Sequence, residues 1–102
     1  MHVEGEAAQR ILRRGGRLFL WQEPVGRAWL RDCLAIGAPP PDVTFDCEQD
    51  LRAGVEVCAA DDVEAREIVV RARRWPLRGV RVYVDGKPWG TRGDVAAAGG
   101  GG

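Results

Sequence analysis

Serine and asparagine are absent from the 102-residue sequence, and histidine occurs only once. Without serine, acyl transfer and hydrolysis through a serine nucleophile are excluded. The single histidine, His2, lies near a chain end, where side chains are poorly held, whereas a general base must be fixed by its surroundings. These absences predict that the protein is not an enzyme.

Phosphate-binding and metal-binding motifs are lacking as well. The segment RRGGR (13–17) does not have the glycine spacing of a P-loop or a dinucleotide-binding turn. The acidic segment DDVE (61–64) does not match a calcium loop. Asp46 and Glu48 would share one face of a strand, but nothing in the sequence indicates the cleft that paired catalytic carboxylates need. We therefore expect solvated surface acids and no cofactor.

Long apolar runs are also missing, so no segment reaches the roughly 18–20 residues that a membrane-spanning helix requires. The first 16 residues contain two glutamates and lack the apolar core of a signal peptide. The sequence therefore predicts a cytoplasmic protein without membrane association. Its length fits one globular domain, which we place at 1–93, followed by a disordered Ala/Gly tail over 94–102.

Cysteine occurs three times, at Cys33, Cys47 and Cys58, and no two of these residues form a C-x-x-C pair. An odd number cannot pair fully within one chain. Cysteine is also among the most buried residue types and packs like a small hydrophobic side chain. We therefore expect three reduced thiols that are mostly buried.

Hydrophobic periodicity predicts one helix followed by strands. Apolar residues recur at helical spacing over 4–14, and Gly15 suits a left-handed helix cap. The segment RLFLWQ (17–22) is apolar on both alternating faces, which indicates a strand covered on both sides. A turn at EPVG (23–26) would then join it to a partner strand over 27–36.

Further strands are predicted over 43–47, 55–59 and 66–75 and in a hairpin over 80–90, in which Asp85-Gly86 favours a type I′ turn. Short connections between consecutive strands favour antiparallel pairing. The predicted fold class is α+β, with one N-terminal helix packed on a curved, mostly antiparallel sheet of about six strands.

The segments RRGG, RLFLW and GVEV follow one another in a layout that loosely resembles the A-type iron–sulfur carriers over about residues 7–60. The resemblance implies a cysteine-dependent metal or iron–sulfur protein. In those proteins the cluster ligands are cysteines beside glycines in tight loops. Here all three cysteines lie in strand-like segments with no adjacent glycine, so the likeness covers the layout and not the cluster site.

Charge is strongly segregated although the net charge is zero. Residues 42–65 contain eight carboxylates and one arginine, for a net charge of −7, whereas residues 66–93 contain eight cations and two carboxylates, for a net charge of +6. We expect the two segments to be neighbouring strands whose charges face each other across one ladder. The alternative is a separate cationic pole that meets an anionic partner.

The segment 71–93 interleaves arginines with aromatic residues, a combination found at protein–protein hot spots. We predict a small non-catalytic interaction domain that binds a partner protein or its own copy. A single-stranded nucleic-acid-binding module is the alternative, because bases stack on aromatic rings while arginines contact phosphates. The metal or iron–sulfur protein is a weaker alternative. The predicted binding residues are Arg71, Arg73, Arg74, Trp75, Arg81, Trp89 and Arg92.

Overall fold

The computed structural model describes residues 1–90 and, farther along, the backbone of one two-residue strand. Arg92 and the predicted tail apart from that strand lie outside the described residues. In chain order the elements are β1 (His2–Val3), α1 (Gly5–Leu12), β2 (Arg17–Val25), β3 (Trp29–Ile36), β4 (Phe45–Asp50), β5 (Val55–Ala60), β6 (Ile68–Ala72), β7 (Val80–Val84), β8 (Lys87–Pro88) and β9 (Ala96–Ala97).

The strands form two mixed sheets, so the prediction of a single curved, mostly antiparallel sheet is wrong. One sheet has the order β1-β6-β7-β8 and the other the order β4-β5-β2-β3-β9. The α+β class holds, because one short helix accompanies the strands. The division results from parallel pairings of distant segments, β1 with β6 and β2 with β5. Parallel pairs are joined by long crossovers instead of turns, so they leave no local signal in the sequence.

The helix α1 packs between the two sheets. Its buried residues Ala7, Ala8 and Ile11 lie on the apolar stripe that the spacing predicts, whereas Leu12, predicted on the same stripe, is 48% exposed. The helix ends before Gly15 and Gly16, which take positive φ values of 117° and 81°. Such backbone conformations are readily adopted by glycine and reverse the chain into β2.

Two apolar cores lie on opposite sides of β2. The first fills the space between α1 and the facing sides of both sheets, and its buried members are Val3, Ala7, Ala8, Ile11, Leu18, Leu20, Val55, Val57, Val70, Val80 and Val82. The second core is on the other side of the second sheet and consists of Phe19, Trp21, Cys33, Ala35, Cys58 and Ala60. The prediction that the β2 segment is covered on both faces is therefore confirmed.

The β2–β3 hairpin is longer than its sequence suggests. The predicted turn at 23–26 is displaced, because Pro24 pairs with Leu30 inside the ladder and the chain reverses at Gly26, whose φ is 65°. β5 pairs with β2 only as far as Leu20. Beyond that residue no strand in the described part of the chain pairs with this edge of β2, and a proline without an N–H is tolerated at such an edge. The outer half of the hairpin therefore projects as a two-stranded arm.

The final hairpin agrees with its prediction. Asp85 and Gly86 take φ values of 50° and 81°, as a type I′ turn requires. β8 is short and occupies the edge of its sheet. Proline, which has no N–H to donate, is tolerated at such an edge.

The expectation of three reduced thiols is wrong for two of the cysteines. Cys47 and Cys58 are directly opposite each other on β4 and β5 and form a disulfide, whereas Cys33 is a free, buried thiol. Strand register brings the two sulfurs together, and this register is invisible in the spacing of cysteines along the chain. Among residues 1–90, no helix has the length and apolar character needed to cross a membrane.

Candidate interaction site

The acidic and basic segments belong to different sheets. Segment 42–65 supplies β4 and β5, and segment 66–93 supplies β6, β7 and β8. The expected pairing of their charges across one ladder is therefore wrong. None of the four ion pairs found in residues 1–90 joins the two segments. The cations of the first sheet are thus not neutralised by the acidic strands.

Two arginines dominate the solvent-facing side of β6 and β7, which we call the outer face. Arg71 and Arg81 are direct cross-strand partners and both are exposed. The Arg71 guanidinium carbon lies 5.9 Å from the centroid of the Tyr83 ring. Alternation explains this arrangement, because Val70 and Val82 point into the core and their neighbours must point outward.

The connection between β6 and β7, residues 73–79, displays a tryptophan, and we call it the Trp75 loop. Trp75 is 90% exposed and Leu77 is 49% exposed. Arg74 and Arg78 flank them and are exposed as well. The loop therefore presents an apolar centre with a cation on each side.

Arg10 of α1 holds the Trp75 loop in shape. Its Nη1 donates to the carbonyl oxygens of Gly79 at 2.8 Å, Arg73 at 3.1 Å and Leu77 at 3.3 Å. Within the loop, the Leu77 amide donates to the Arg74 carbonyl at 2.8 Å. Charge-assisted hydrogen bonds of this kind are stronger than neutral ones. No pattern in the sequence connects Arg10 with residues more than sixty positions away.

The predicted binding residues fall into three groups. Arg71 and Arg81 lie on the outer face, and Arg73, Arg74 and Trp75 follow directly from the end of β6. Trp89 is separate from both. Its ring packs against the first core and its Nε1 donates to the Cys33 carbonyl at 2.9 Å, which ties the two sheets together. Arg92 lies outside the described residues.

A second exposed apolar group is absent from the predicted site. Trp29 is 77% exposed, Leu30 61% and Val25 45%, and all three lie on the outer half of the β2–β3 hairpin. The only sign of this exposed group in the sequence is the apolar pair Trp-Leu beside a turn. The same pair is equally typical of the buried interior of a strand, so it does not predict exposure. Glu23 and Arg31 pair at 3.1 Å at the base of this arm.

A cleft of about 280 Å³ opens where β4 and β5 face the first residue of β6. Asp46, Glu48 and Asp61 line it together with apolar side chains that include Val63 and Ile68. The prediction that Asp46 and Glu48 share a strand face is consistent with the register, in which they oppose Ala59 and Val57. The sequence gives no sign of this cleft, because its second wall, which includes Ile68, comes from the other sheet.

The disulfide lies beside a carboxylate. The ligand atoms of Cys47, Cys58 and Glu56 are all within 4.8 Å of one another. A glutamate oxygen and two thiolates are suitable zinc ligands, but only after the disulfide has been reduced. Glu56 also accepts a hydrogen bond from the Arg17 Nε at 2.8 Å, which a metal ion would have to displace. With the disulfide formed, Cys47 and Cys58 are a covalent cross-link and not metal ligands.

The remaining cysteine is unsuited to nucleophilic chemistry. Burial raises the pKa of the Cys33 thiol, and the nearby carboxylate of Glu23 raises it further. A hydrogen bond from Trp21, followed by one from Arg31, keeps the pKa of Glu23 low, so this carboxylate remains charged. Reactive cysteines need the opposite environment, exposed and electropositive.

No protein-family model, no curated protein and no solved structure matches this chain. The likeness to the A-type carriers stays a comparison of sequence layout.

Proposed function

We propose that the chain is a small non-catalytic interaction domain that binds an acidic protein surface, on a partner or on its own copy. The Trp75 loop is the anchor, and the outer face with Arg71 and Arg81 extends the contact. The observation that carries the proposal is the 90% exposure of Trp75 in a loop whose backbone is fixed by Arg10.

The composition of the loop supports a protein partner. Hot spots at protein interfaces are enriched in tryptophan and arginine and have an apolar centre with a polar rim. Trp75, Pro76 and Leu77 supply such a centre, and Arg74 and Arg78 supply the rim. Exposure of Trp75 and Leu77 gives no stability to the isolated domain, and contact with a partner would bury both side chains.

Rigidity of the loop supports the same proposal. A binding loop that is ordered before association loses less conformational entropy when the complex forms. The three carbonyl oxygens that accept from Arg10 hold both ends and the middle of the loop in the free protein. This arrangement fixes the backbone on both sides of Trp75.

Single-stranded nucleic acid is the alternative, and the outer face supports it. Arg71 and Arg81 have no carboxylate partner among residues 1–90, and Tyr83 offers a ring beside them. A stacking platform for several bases needs further rings on the same surface. Val69 occupies the cross-strand position next to Tyr83, and for this reason the protein partner is preferred.

Selection of a random 16-residue peptide library on the immobilised chain tests the proposal. We expect enrichment of acidic peptides with apolar residues and loss of that enrichment on the Trp75→Ala variant. Enrichment that Trp75→Ala leaves unchanged, or no enrichment, contradicts the proposal. Binding of a labelled 20-nucleotide oligo(dT) that weakens steeply with added salt would instead favour nucleic acid.

A further inference from the structure

The Trp75 loop and the cleft lie at opposite ends of the same strand. Ile68, the first residue of β6, lines the cleft, and the loop begins at Arg73, directly after the last residue of β6. At about 3.3 Å per residue, the two ends are roughly 16 Å apart. The loop of one molecule therefore cannot enter its own cleft.

The cleft is complementary to the loop in charge. Asp46, Glu48 and Asp61 line it, whereas Arg74 and Arg78 flank Trp75. Met1 also lines the cleft, and its amino group is paired with Glu67 at 3.5 Å. Neither Arg74 nor Arg78 belongs to an ion pair in the described part of the chain.

The cleft also fits the loop in size and polarity. Its volume of about 280 Å³ lies just below the roughly 300–1,000 Å³ typical of sites for small molecules. A space of this volume suits one large side chain. Val63 and Ile68 add apolar side chains to a lining that also carries carboxylates, and an indole ring, which is apolar but has a polar N–H, suits such a mixed site.

We infer that the acidic protein bound by the Trp75 loop is a second copy of this chain, and that the indole of Trp75 enters the cleft of the neighbour. This inference rests on the proposed function and specifies its partner. Arg74 and Arg78 then meet Asp46 and Asp61 at the rim of the cleft. Complementary charges at a rim accelerate association and select the partner.

The loop and the cleft are different surfaces at opposite ends of β6, so copies can engage them in two ways. In a two-fold dimer the loop of each copy enters the cleft of the other. In a head-to-tail contact only one loop and one cleft meet, and repetition of that contact generates a closed ring or an open chain.

Sedimentation velocity of the full chain with two complementary variants tests the inference. Trp75→Ala disables the loop and leaves the cleft intact, and the double variant Asp46→Lys/Asp61→Lys disables the cleft and leaves the loop intact. We expect wild type to form a dimer or a larger species at low salt and each variant alone to be monomeric. Loss of a hot-spot anchor should lower the association constant at least about 30-fold. An equimolar mixture of the variants should form a dimer and nothing larger, because it contains one working pair of surfaces.

All the substituted side chains are exposed, and circular dichroism verifies that each variant is folded. Asp46→Asn/Asp61→Asn, which removes charge without reversing it, serves as a milder second cleft variant. A wild type that is monomeric up to millimolar concentration, or a mixture that stays monomeric, overturns the inference. If acidic peptides are still selected in a Trp75-dependent way, self-docking fails and the proposed function stands.

Discussion

Arg71 and Arg81 are directly opposite each other on neighbouring antiparallel strands, and neither belongs to an ion pair in residues 1–90. Like charges in this position repel and destabilise a sheet. We expect Arg81→Gln to increase the free energy of unfolding by about 0.2–1 kcal/mol, and the gain to shrink at high salt. Urea denaturation at 20 and 500 mM NaCl measures both effects.

The control for this substitution is Arg52→Gln. Arg52 is exposed in the turn between β4 and β5, in the segment with eight carboxylates. Removing its charge should leave stability unchanged or lower it slightly. If Arg81→Gln also lowers the free energy of unfolding, the prediction is contradicted. The favourable contacts of the Arg81 side chain then outweigh the repulsion between the paired guanidinium groups.

Two tryptophans should differ sharply in their contribution to stability. Trp21 is 2% exposed and packs edge-on against Phe45 with a centroid distance of 6.3 Å, whereas Trp75 is 90% exposed. We expect Trp21→Ala to cost about 3–5 kcal/mol and Trp75→Ala to stay within about 0.5 kcal/mol of wild type. Chemical denaturation gives both values. Acrylamide quenching should also lose its most accessible component in Trp75→Ala, and equal costs for the two variants would contradict this assignment.

The sequence predicts local features of this fold better than its long-range arrangement. The stripe of α1, the two apolar faces of β2 and the turn at Asp85-Gly86 depend on neighbouring residues, and all three are confirmed. Sheet membership, the disulfide and the cleft depend on which distant strands meet. No spacing rule in a single sequence encodes that choice, because parallel pairings carry no turn signal.

The candidate site shows the same division. The sequence predicts a strand over 66–75 with Trp75 at its end, whereas β6 ends at Ala72 and Trp75 lies in the loop that follows. Its support by Arg10 and its distance from the acidic cleft require knowledge of the packing of α1 and of the second sheet. The placement of Trp89 between the sheets could not be foreseen for the same reason.

Arg10 should control the order of the Trp75 loop. Arg10→Ala removes the donor for three carbonyl oxygens and is expected to cost about 1.5–3 kcal/mol, the range for a hydrogen bond made by a charged group. Amide hydrogen exchange at Leu77 and Arg73, whose bonds close the loop, should accelerate more than exchange in β7. Glu6→Gln is the control, since it removes only the exposed pair between Glu6 and Arg10, at about 0.3–0.5 kcal/mol. Equal exchange rates in Arg10→Ala and wild type would show that the loop is ordered by other contacts.

The cross-strand disulfide should make stability dependent on reductant. Cys47 and Cys58 are 11 residues apart, and a disulfide closing a loop of this size contributes about 2–3 kcal/mol by the chain-entropy estimate. We expect dithiothreitol to lower the free energy of unfolding of wild type by that amount and to leave Cys47→Ala unchanged. If wild type is insensitive to reductant, the cross-link does not form in solution. Disulfides persist mainly in oxidising compartments. The disulfide therefore does not favour the predicted cytoplasmic location, which stays a prediction.

Reduction also tests the weaker metal-binding alternative. Cobalt(II) added to the reduced chain under anaerobic conditions should give thiolate charge-transfer absorption if Cys47, Cys58 and Glu56 bind a divalent ion. Glu56→Gln should then weaken binding, whereas Glu48→Gln, on the opposite face of β4, serves as the control. Absence of the absorption band excludes this group as a metal site.

Acid should weaken the β7–β8 turn through Asp85. The backbone N–H groups of Glu67 and Arg66 both donate to its Oδ1 at 2.8 Å and lower the pKa of the carboxyl group. Because the folded pKa lies below the unfolded value of about 3.9, the stabilisation is present in full above that value and is lost as pH falls through the folded pKa. Asp85→Asn keeps an acceptor oxygen and tolerates the positive φ, so it should lose less stability than wild type between pH 5 and 2. Thermal unfolding across this pH range measures the difference. The matched control is Asp42→Asn, because Asp42 also has a positive φ but accepts no hydrogen bond found in residues 1–90. Parallel pH profiles for wild type and Asp85→Asn would show that the two amide hydrogen bonds do not favour the charged carboxylate.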